Sequence, residues 1–288
     1  MNVNDLVSFC DSNWVCPKCE ITCGNVCMGH CLKCLGHIHK VGTSDRTYNC
    51  GNIAFCYTCK YIYKYSSEIF HILEILGNIL KRAKRIRAAS IGCGPASELF
   101  GLCIHRDLYK MSYSIEYDGF EKIDIWKPVH DKIKQMDVID TISFHYGNVF
   151  DYYDGSVPYP NLLILNYVIS DIVRQSSIEE IEQFLNSLIT LISSMSCGSF
   201  VVINDINLGR NQKESRYYYS EILDKLAKVG VQTRPFKLHF PSSRQYYYPY
   251  GVKVQNNNIV QSIPDHIERK YNPWDECRSA ALIFRKEN

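Results

Sequence analysis

From residue 88 onward, short apolar runs alternate with longer segments in which apolar residues recur at helical spacing. Such runs are typical of buried strands, and the longer segments of amphipathic helices. The strands are predicted at 88–91, 113–116, 141–146, 161–165, 199–204, 231–240 and 280–285, and the helices at 96–103, 126–135, 178–194 and 217–229. This alternation predicts an α/β fold, with a doubly wound, mostly parallel, seven-stranded sheet that carries helices on both faces.

A different pattern precedes residue 88. Ser66 and Ser67 predict the start of a linker helix, because apolar residues follow them at helical spacing from Ile69 to Leu80. Cysteine dominates the segment before that helix. The chain is therefore expected to comprise a cysteine-rich module at 1–64, a linker helix at 65–87 and an α/β domain at 88–288, in which the insertion 241–278 forms a cap.

Ten of the 14 cysteines lie in the first 59 residues, and three pairs of them have the C-x-x-C spacing. Two thiolates three residues apart on a tight turn can chelate one ion, and Zn²⁺ prefers four such ligands. The pattern predicts a small module stabilised by two or more zinc ions, with the pairing of ligands open. The candidate ligands are Cys10, Cys16, Cys19, Cys23, Cys27, Cys31, Cys34, Cys50, Cys56 and Cys59, with His30, His37 and His39 as further donors.

Two other uses of these cysteines stay open. Cys27, Cys31 and Cys34 have the C-x-x-x-C-x-x-C spacing of radical S-adenosylmethionine enzymes, which bind an iron–sulfur cluster, although Lys33 stands where those enzymes usually have an aromatic residue. A disulfide scaffold is disfavoured because no signal peptide is visible at the start of the chain. No apolar stretch reaches bilayer length. We therefore expect a cytoplasmic, reduced protein without a membrane partner.

Glycines follow the first predicted strand, in the stretch Gly92-Cys93-Gly94-Pro95, and a predicted helix comes next. Glu116 lies 22 residues beyond Gly94, at the end of the next predicted strand, where a carboxylate can accept hydrogen bonds from both ribose hydroxyls. Ser97 replaces the third glycine of a dinucleotide-binding motif. The pattern therefore favours a nucleoside ligand that has no pyrophosphate.

Four stretches, 89–96, 113–116, 144–151 and 163–171, resemble in order and spacing the motifs of class I, Rossmann-like, S-adenosylmethionine-dependent methyltransferases. The resemblance covers about residues 85 to 288 and implies S-adenosylmethionine as cofactor. It places Gly92 and Gly94 at the methionine moiety, Glu116 at the ribose, and Asn148 with the Val149 backbone at the adenine edge. Ser90 departs from the acidic residue that the family often has before the first glycine. The implied cofactor-binding residues are Gly92, Cys93, Gly94, Pro95, Glu116, Tyr117, Asn148, Val149 and Asn166.

The substrate is less clear from the sequence, and no catalytic residue is identified. Asn166, Tyr167 and Asp171 are candidates for the substrate pocket, but the two prolines that usually follow such an asparagine in enzymes methylating base amines are absent. The stretch 167–171 is distantly similar to mitochondrial ribosome-associated methyltransferase-like proteins. The cap mixes basic and aromatic residues, which can hold phosphates and bases: Arg244, Tyr246, Tyr247, Tyr248, Tyr250, Arg269, Lys270, Tyr271 and Trp274.

We therefore predict a methyltransferase acting on RNA, with the zinc module aiding RNA binding. The net charge of +2 gives no general attraction to nucleic acid, so binding would depend on local groups. The alternatives are a methyltransferase for proteins or small molecules, and a non-catalytic assembly factor that retains a cofactor pocket.

Overall fold

The computed structural model describes residues 2–14, 31–38, 48, 50–80, 83–136, 141–207, 215–241 and 248–288. Within these ranges, no helix is both long enough and apolar enough to cross a membrane.

A single mixed sheet forms the centre of the described chain. Its strands are β1 (Arg85–Ile91), β2 (Ser114–Glu121), β3 (Thr141–Tyr146), β4 (Leu162–Asn166), β5 (Phe200–Ile206), β6 (Thr233–His239), β7 (Val252–Lys253) and β8 (Ser279–Lys286). They are arranged in the order β3-β2-β1-β4-β5-β8-β6-β7. β1 to β5 are mutually parallel, and β8 runs antiparallel between β5 and β6. The predicted α/β fold with a mostly parallel sheet is confirmed.

The strand count differs from the predicted seven, because β7 adds an eighth strand in the described chain. β7 has two residues, lies inside the insertion and pairs with the edge of β6. A strand this short has no periodicity that a sequence pattern could register.

Helices cover both faces of the sheet. They are α1 (Val3–Asn13), α2 (Cys31–Ile38), α3 (Gly51–Leu80), α4 (Ser97–Leu108), α5 (Lys127–Lys134), α6 (Val149–Tyr152), α7 (Ile169–Gln175), α8 (Ile178–Ser194), α9 (Ser215–Lys228) and α10 (Asp265–Tyr271). Side chains alternate between the faces along each strand, so Ile164 packs with α1 to α5 while Leu165 packs with α8 and α9. α8 has its predicted bounds because Ser177 and Glu180 form a capping box at its start.

α3 is a continuous helix of 30 residues, and the predicted boundary at residue 64 falls inside it. The predicted helix start at Ser66 and Ser67 is wrong. Both serines are buried in the middle of α3, and their hydroxyls donate to the carbonyl oxygen of Tyr63. Apolar residues such as Ile53 and Ile62 are buried on the same helix, so its pattern begins among the cysteines.

α3 packs closely against α4, and Gly101 permits the approach. A Cβ at this position would lie 2.8 Å from the Ser66 carbonyl oxygen and 2.9 Å from Ile69. The contact places α3 in the same hydrophobic core as one face of the sheet. The parts of α3 before and after residue 64 therefore share one hydrophobic core with the α/β fold.

The insertion between β6 and β8 packs on the N-terminal helices. Lys60 Nζ of α3 donates to the carbonyl oxygens of Tyr271 (3.1 Å) and Asn272 (3.0 Å). Lys270 Nζ lies 2.6 Å from an Asp11 carboxylate oxygen of α1. These polar contacts, here called the brace, link the insertion to α1 and α3.

Candidate functional site

A pocket of about 710 Å³ opens at the carboxyl ends of β1, β2 and β4. The strand order reverses between β1 and β4, so this is the topological switch point at which open α/β sheets bind ligands. The turns after these strands line the pocket together with the turn after β3, part of α3, and the facing residues of α7 and α8.

The glycine turn after β1 forms the floor of the pocket. Gly92 and Gly94 both line it and have left-handed backbones, with φ of +62° and +47°. A Cβ on Gly92 would lie 3.0 Å from a Val168 methyl group, so the turn lies against the loop after β4. Cys93 and Pro95, also predicted to bind the cofactor, are buried and are not among the pocket residues. Two of the four predicted residues of this turn thus reach the pocket.

His130 of α5 holds the glycine turn from behind. Its Nε2 donates to the Gly94 carbonyl oxygen at 2.6 Å, and its Nδ1 accepts from the Tyr146 hydroxyl at 2.7 Å. Its ring stacks on Phe144 with 3.8 Å between centroids. Burial lowers the pKa of His130 to about 4, so the imidazole is neutral at pH 7. This contact could not be predicted from the sequence, where His130 is one more position in a predicted amphipathic helix.

The acidic residue at the end of β2 is Glu121, and the prediction that Glu116 ends this strand is wrong. β2 continues five residues beyond Glu116, as far as Glu121. Glu116 lies near the start of the strand, paired with Arg85 at 3.3 Å and Arg87 at 3.2 Å, and it does not line the pocket. The alternating polar residues of this strand concealed its true length.

Glu121 lines the pocket and is fixed by backbone groups. One carboxylate oxygen accepts from the Gly94 N–H at 3.0 Å, and the other accepts from the Lys122 N–H at 2.9 Å. Burial raises the pKa of Glu121, while the hydrogen bonds from Gly94, Lys122 and Ile123 oppose that rise. Glu121 therefore presents an oriented carboxyl group beside the glycine turn.

Tyr117, implied by the resemblance to bind the cofactor, is buried in the middle of β2. Its ring packs against Phe144 at 6.0 Å, and it is not a pocket residue. The reason is the same as for Glu116: both predictions assumed that β2 ends at Glu116, whereas it ends at Glu121.

Asn148 and Val149, predicted to bind the cofactor, follow β3 and line the pocket. Asn148 is exposed and caps α6, since its side-chain oxygen accepts from the Phe150 N–H at 3.2 Å. Its amide nitrogen donates to Asp151 at 3.1 Å. The amide is thus oriented at the rim.

The three substrate-pocket candidates also line the pocket, together with Val168. Asn166 is buried, donates to Ser97 Oγ at 3.4 Å and accepts from Asn204 Nδ2 at 2.8 Å. Tyr167 follows it with φ of +60°. Asp171, one turn into α7, forms an ion pair with Arg174.

α3 carries a row of aromatic side chains, and its first member lines the pocket, which the sequence did not predict. Tyr57 lines the pocket and meets Trp126 edge-on at 5.3 Å. Tyr57, Tyr61 and Tyr65 form a continuous row, with centroids 4.7 Å and 5.5 Å apart. Their spacing of four residues places them on one helix face, which was the available signal.

Glu98, in the first turn of α4, is buried next to the pocket residue Asn166. Ser97 Oγ donates to its carboxylate at 3.1 Å. Burial raises the pKa of Glu98 and its hydrogen bonds lower it. Burial has the larger effect, so the pKa rises to about 7. This carboxyl group is therefore poised to change its charge near neutral pH.

The six described cysteines among the predicted metal ligands are all buried, and their contacts are those of a packed core. Cys59 Sγ donates to the Val7 carbonyl oxygen at 3.7 Å, which joins α3 to α1. Burial raises the pKa of Cys10 to about 12 and also raises that of Cys59. The described residues are Cys10, Cys31, Cys34, Cys50, Cys56 and Cys59.

Among the described residues, no group of three or more His, Cys, Asp or Glu side chains could hold a metal ion. Cys56 and Cys59 lie on the helix α3 and not on a chelating turn. His37 lies on α2. The remaining predicted ligands, Cys16, Cys19, Cys23, Cys27, His30 and His39, lie outside the described residues. The zinc module stays a prediction.

The insertion was expected to cap the pocket, but none of its described residues, 241 and 248–278, lines it. Tyr271 packs edge-on against Trp14 at 5.7 Å. The Trp274 ring lies under Lys64 and Arg278 at 5.5 Å and 4.4 Å. These aromatic residues contribute to the contacts between the insertion and the N-terminal helices. Arg244, Tyr246 and Tyr247 lie outside the described residues.

No protein-family model matches the chain, and no curated protein matches it. Solved structures of similar fold include a provisionally assigned class I S-adenosylmethionine-dependent methyltransferase from Listeria monocytogenes, at 11% identity and a TM-score of 0.47. That likeness covers 78% of this chain and 61% of the Listeria chain.

Two further similar structures are a plantazolicin methyltransferase in complex with SAH (9% identity, TM-score 0.44, covering 78% of this chain and 84% of that one) and an rRNA methylase from Streptococcus thermophilus (9% identity, TM-score 0.44, covering 77% and 97%). At these identities and TM-scores the similar structures support no statement about the function of this protein.

Proposed function

We propose that the protein is an S-adenosylmethionine-dependent methyltransferase. The observation that carries the proposal is the juxtaposition of the Gly92–Gly94 turn with the oriented Glu121 carboxyl group at the switch point of the sheet. A glycine turn lets a ligand approach the backbone, and a carboxylate at the end of the neighbouring strand suits ribose hydroxyls. A pocket of about 710 Å³ is in the size range of cofactor sites.

The residues present fit this cofactor. Glu121 would hold the ribose, Gly92 and Gly94 would border the methionine moiety, and Asn148 with Val149 would border the adenine. The side-chain oxygen of Asn148 can accept from an exocyclic amine. Glu121 replaces Glu116 in the role that the resemblance implied.

When bound, S-adenosylmethionine supplies an activated methyl group on a sulfonium. The chain's own contribution is to orient the acceptor and to exclude water. The pocket residues Tyr57, Trp126 and Tyr167 form an aromatic wall that would cover the acceptor side, and Asn166 offers a fixed amide beside it. Methyl transfer to a nucleophilic acceptor does not require a general base, and we assign none.

We propose RNA as the substrate class. The support is the aromatic wall, because rings that border a pocket can stack on an unpaired base. The described residues of the insertion pack on α1 and α3, so they do not support RNA binding at the pocket. A zinc module that assists RNA binding belongs to the same proposal and depends on the cysteines outside the described residues.

Cofactor binding is tested by calorimetry with S-adenosylmethionine on the wild type, Glu121→Gln and Glu116→Gln. Losing the charge at Glu121 weakens charge-assisted hydrogen bonds, so we expect the dissociation constant to rise at least about tenfold. Glu116→Gln is the matched control and should bind like the wild type, because Glu116 contacts two arginines away from the pocket. Absence of binding to the wild type at high micromolar concentration would overturn the enzyme proposal.

Substrate class is tested by transfer of labelled methyl from S-adenosylmethionine to total RNA and to cell protein. Label in RNA is expected, and label found in protein alone would refute the RNA proposal. Elemental analysis of the purified protein tests the metal: two or more zinc ions per chain are expected. Iron in their place would favour the iron–sulfur alternative.

A further inference from the structure

Tyr167 has an unusual backbone for its residue type. It directly follows β4, lines the pocket and has φ of +60°, a left-handed conformation that disfavours a side chain with a Cβ. Such a conformation is unfavourable for a residue other than glycine and persists only where surrounding contacts enforce it. The contacts around Tyr167 therefore identify what shapes this part of the pocket.

Those contacts come from β5 and from α3. The Tyr167 N–H donates to the Asn204 carbonyl oxygen at 2.8 Å. Its ring stacks on Tyr65 with 4.1 Å between centroids and 26° between planes. Its hydroxyl donates to Glu68 Oε1 at 3.2 Å and accepts from Lys64 Nζ. Lys64, Tyr65 and Glu68, which lie within about one turn of α3, thus each hold the Tyr167 side chain.

Glu68 is fully buried and connects several parts of the site. It accepts from Asn204 Nδ2 at 3.1 Å and from the Arg278 N–H at 2.8 Å, and it lies 3.5 Å from Lys64 Nζ. Asn204 in turn donates to Asn166. The hydrogen bonds therefore run from α3 through Glu68 to the pocket residues on both sides of the β4 terminus.

A buried ion pair is a poor way to gain stability, because desolvation offsets the attraction and apolar residues of similar volume often serve as well. Its value lies in fixing one arrangement among several. Here the arrangement is the turn 166–168, whose Val168 lies against Gly92 of the glycine turn. A shift of this turn would move the wall of the pocket next to the glycines.

We propose that Lys64, Tyr65 and Glu68 are positioning residues that hold the turn 166–168 in its pocket-lining conformation. α3 thereby forms part of the candidate active centre, although the sequence placed Lys64 at the end of the cysteine-rich module and Tyr65 and Glu68 in a linker helix. The consequence for ligand binding rests on the proposed function, whereas the consequence for the turn itself does not.

Hydrogen exchange measured by mass spectrometry on Tyr167→Phe and Glu68→Gln tests the positioning. Tyr167→Phe keeps the ring stacked on Tyr65 and removes only the hydroxyl, so it remains informative if Glu68→Gln fails to fold. The loss of buried hydrogen bonds should speed exchange in peptides covering 166–170 about tenfold, with α8 unchanged. Lys60→Met is the control, since Lys60 lies one turn earlier on α3 and its ammonium donates to the Tyr271 and Asn272 carbonyl oxygens of the insertion, not to Tyr167 or Glu68. Exchange at 166–170 in Tyr167→Phe equal to that of the wild type would overturn the proposal.

Calorimetry with S-adenosylhomocysteine on the same variants, well below their melting temperatures, separates the two proposals. Weaker binding by Tyr167→Phe, with Lys60→Met unchanged, supports a role in shaping the ligand site. Unchanged binding despite faster exchange would overturn that role. A wild type that does not bind, with exchange still faster in the variants, would refute the proposed function and leave the positioning of the turn supported.

Discussion

Two carboxyl groups near the pocket have raised pKa values. At Glu121 burial raises the pKa, and the backbone N–H groups that both oxygens accept oppose that rise. Glu98 is dominated by burial, which raises its pKa from 4.5 to about 7. A folded-state pKa above that of the unfolded chain means that the folded protein binds this proton more tightly. Stability from this group is therefore full below pH 4.5 and is lost as the pH rises through 7.

Glu98→Gln removes this dependence. Between pH 4.5 and pH 8 the free energy of unfolding of the wild type should fall relative to the variant by up to roughly 3 kcal/mol, the equivalent of the rise from 4.5 to about 7. Urea denaturation at several pH values measures the difference. Glu268→Gln, at an exposed position on α10, is the control and should follow the wild type. Parallel curves for the wild type and Glu98→Gln would contradict the prediction.

At the scale of elements, the α3–α4 contact couples the N-terminal helices to the sheet. Gly101 lies where the two helices approach most closely, against the Ser66 carbonyl oxygen. Gly77 lies near the end of α3 with open space around it. The two glycines therefore separate the effect of packing from that of helix propensity.

Gly101→Ala should destabilise the protein by about 1–3 kcal/mol, because the added methyl group meets backbone that cannot move cheaply. Gly77→Ala should stabilise it by about 0.5–1 kcal/mol, because alanine favours the helix and meets nothing within 4 Å. Chemical denaturation of both variants gives the two values. A Gly101→Ala protein as stable as Gly77→Ala would show that the helices have room to separate.

At the scale of the whole molecule, the described N-terminal helices and one sheet face share a single hydrophobic core. Leu6 of α1 is fully buried in it, as are residues of α3, α4 and β4. The brace from the insertion adds polar links between the same parts. We therefore expect α1 and α3 to unfold together with the sheet.

Leu6→Ala should lower the single melting temperature of the whole protein, with a loss of about 2–5 kcal/mol. Far-ultraviolet circular dichroism and tryptophan fluorescence should report the same transition. Ile178→Ala is the control, because Ile178 is 72% exposed on α8 and its loss should change stability by less than about 0.5 kcal/mol. A separate early transition in Leu6→Ala, with the sheet unaffected, would indicate an independent N-terminal module.

Local periodicity alone determined the α/β alternation, the position of the glycine turn and the bounds of α8. These features depend on neighbours in sequence, such as the capping box at Ser177. The sequence could indicate the pocket residues Gly92, Gly94, Asn148 and Asn166 for the same reason, since each lies at the end of a strand or shortly after it.

Only the tertiary structure decided which acidic residue reaches the pocket, because the end of β2 depends on pairing with β1 and β3. It also decided that Tyr57 of α3 lines the pocket. Lys64 and Glu68 hold Tyr167 through contacts between residues about a hundred positions apart. Such contacts arise from burial against distant elements, which no local pattern encodes.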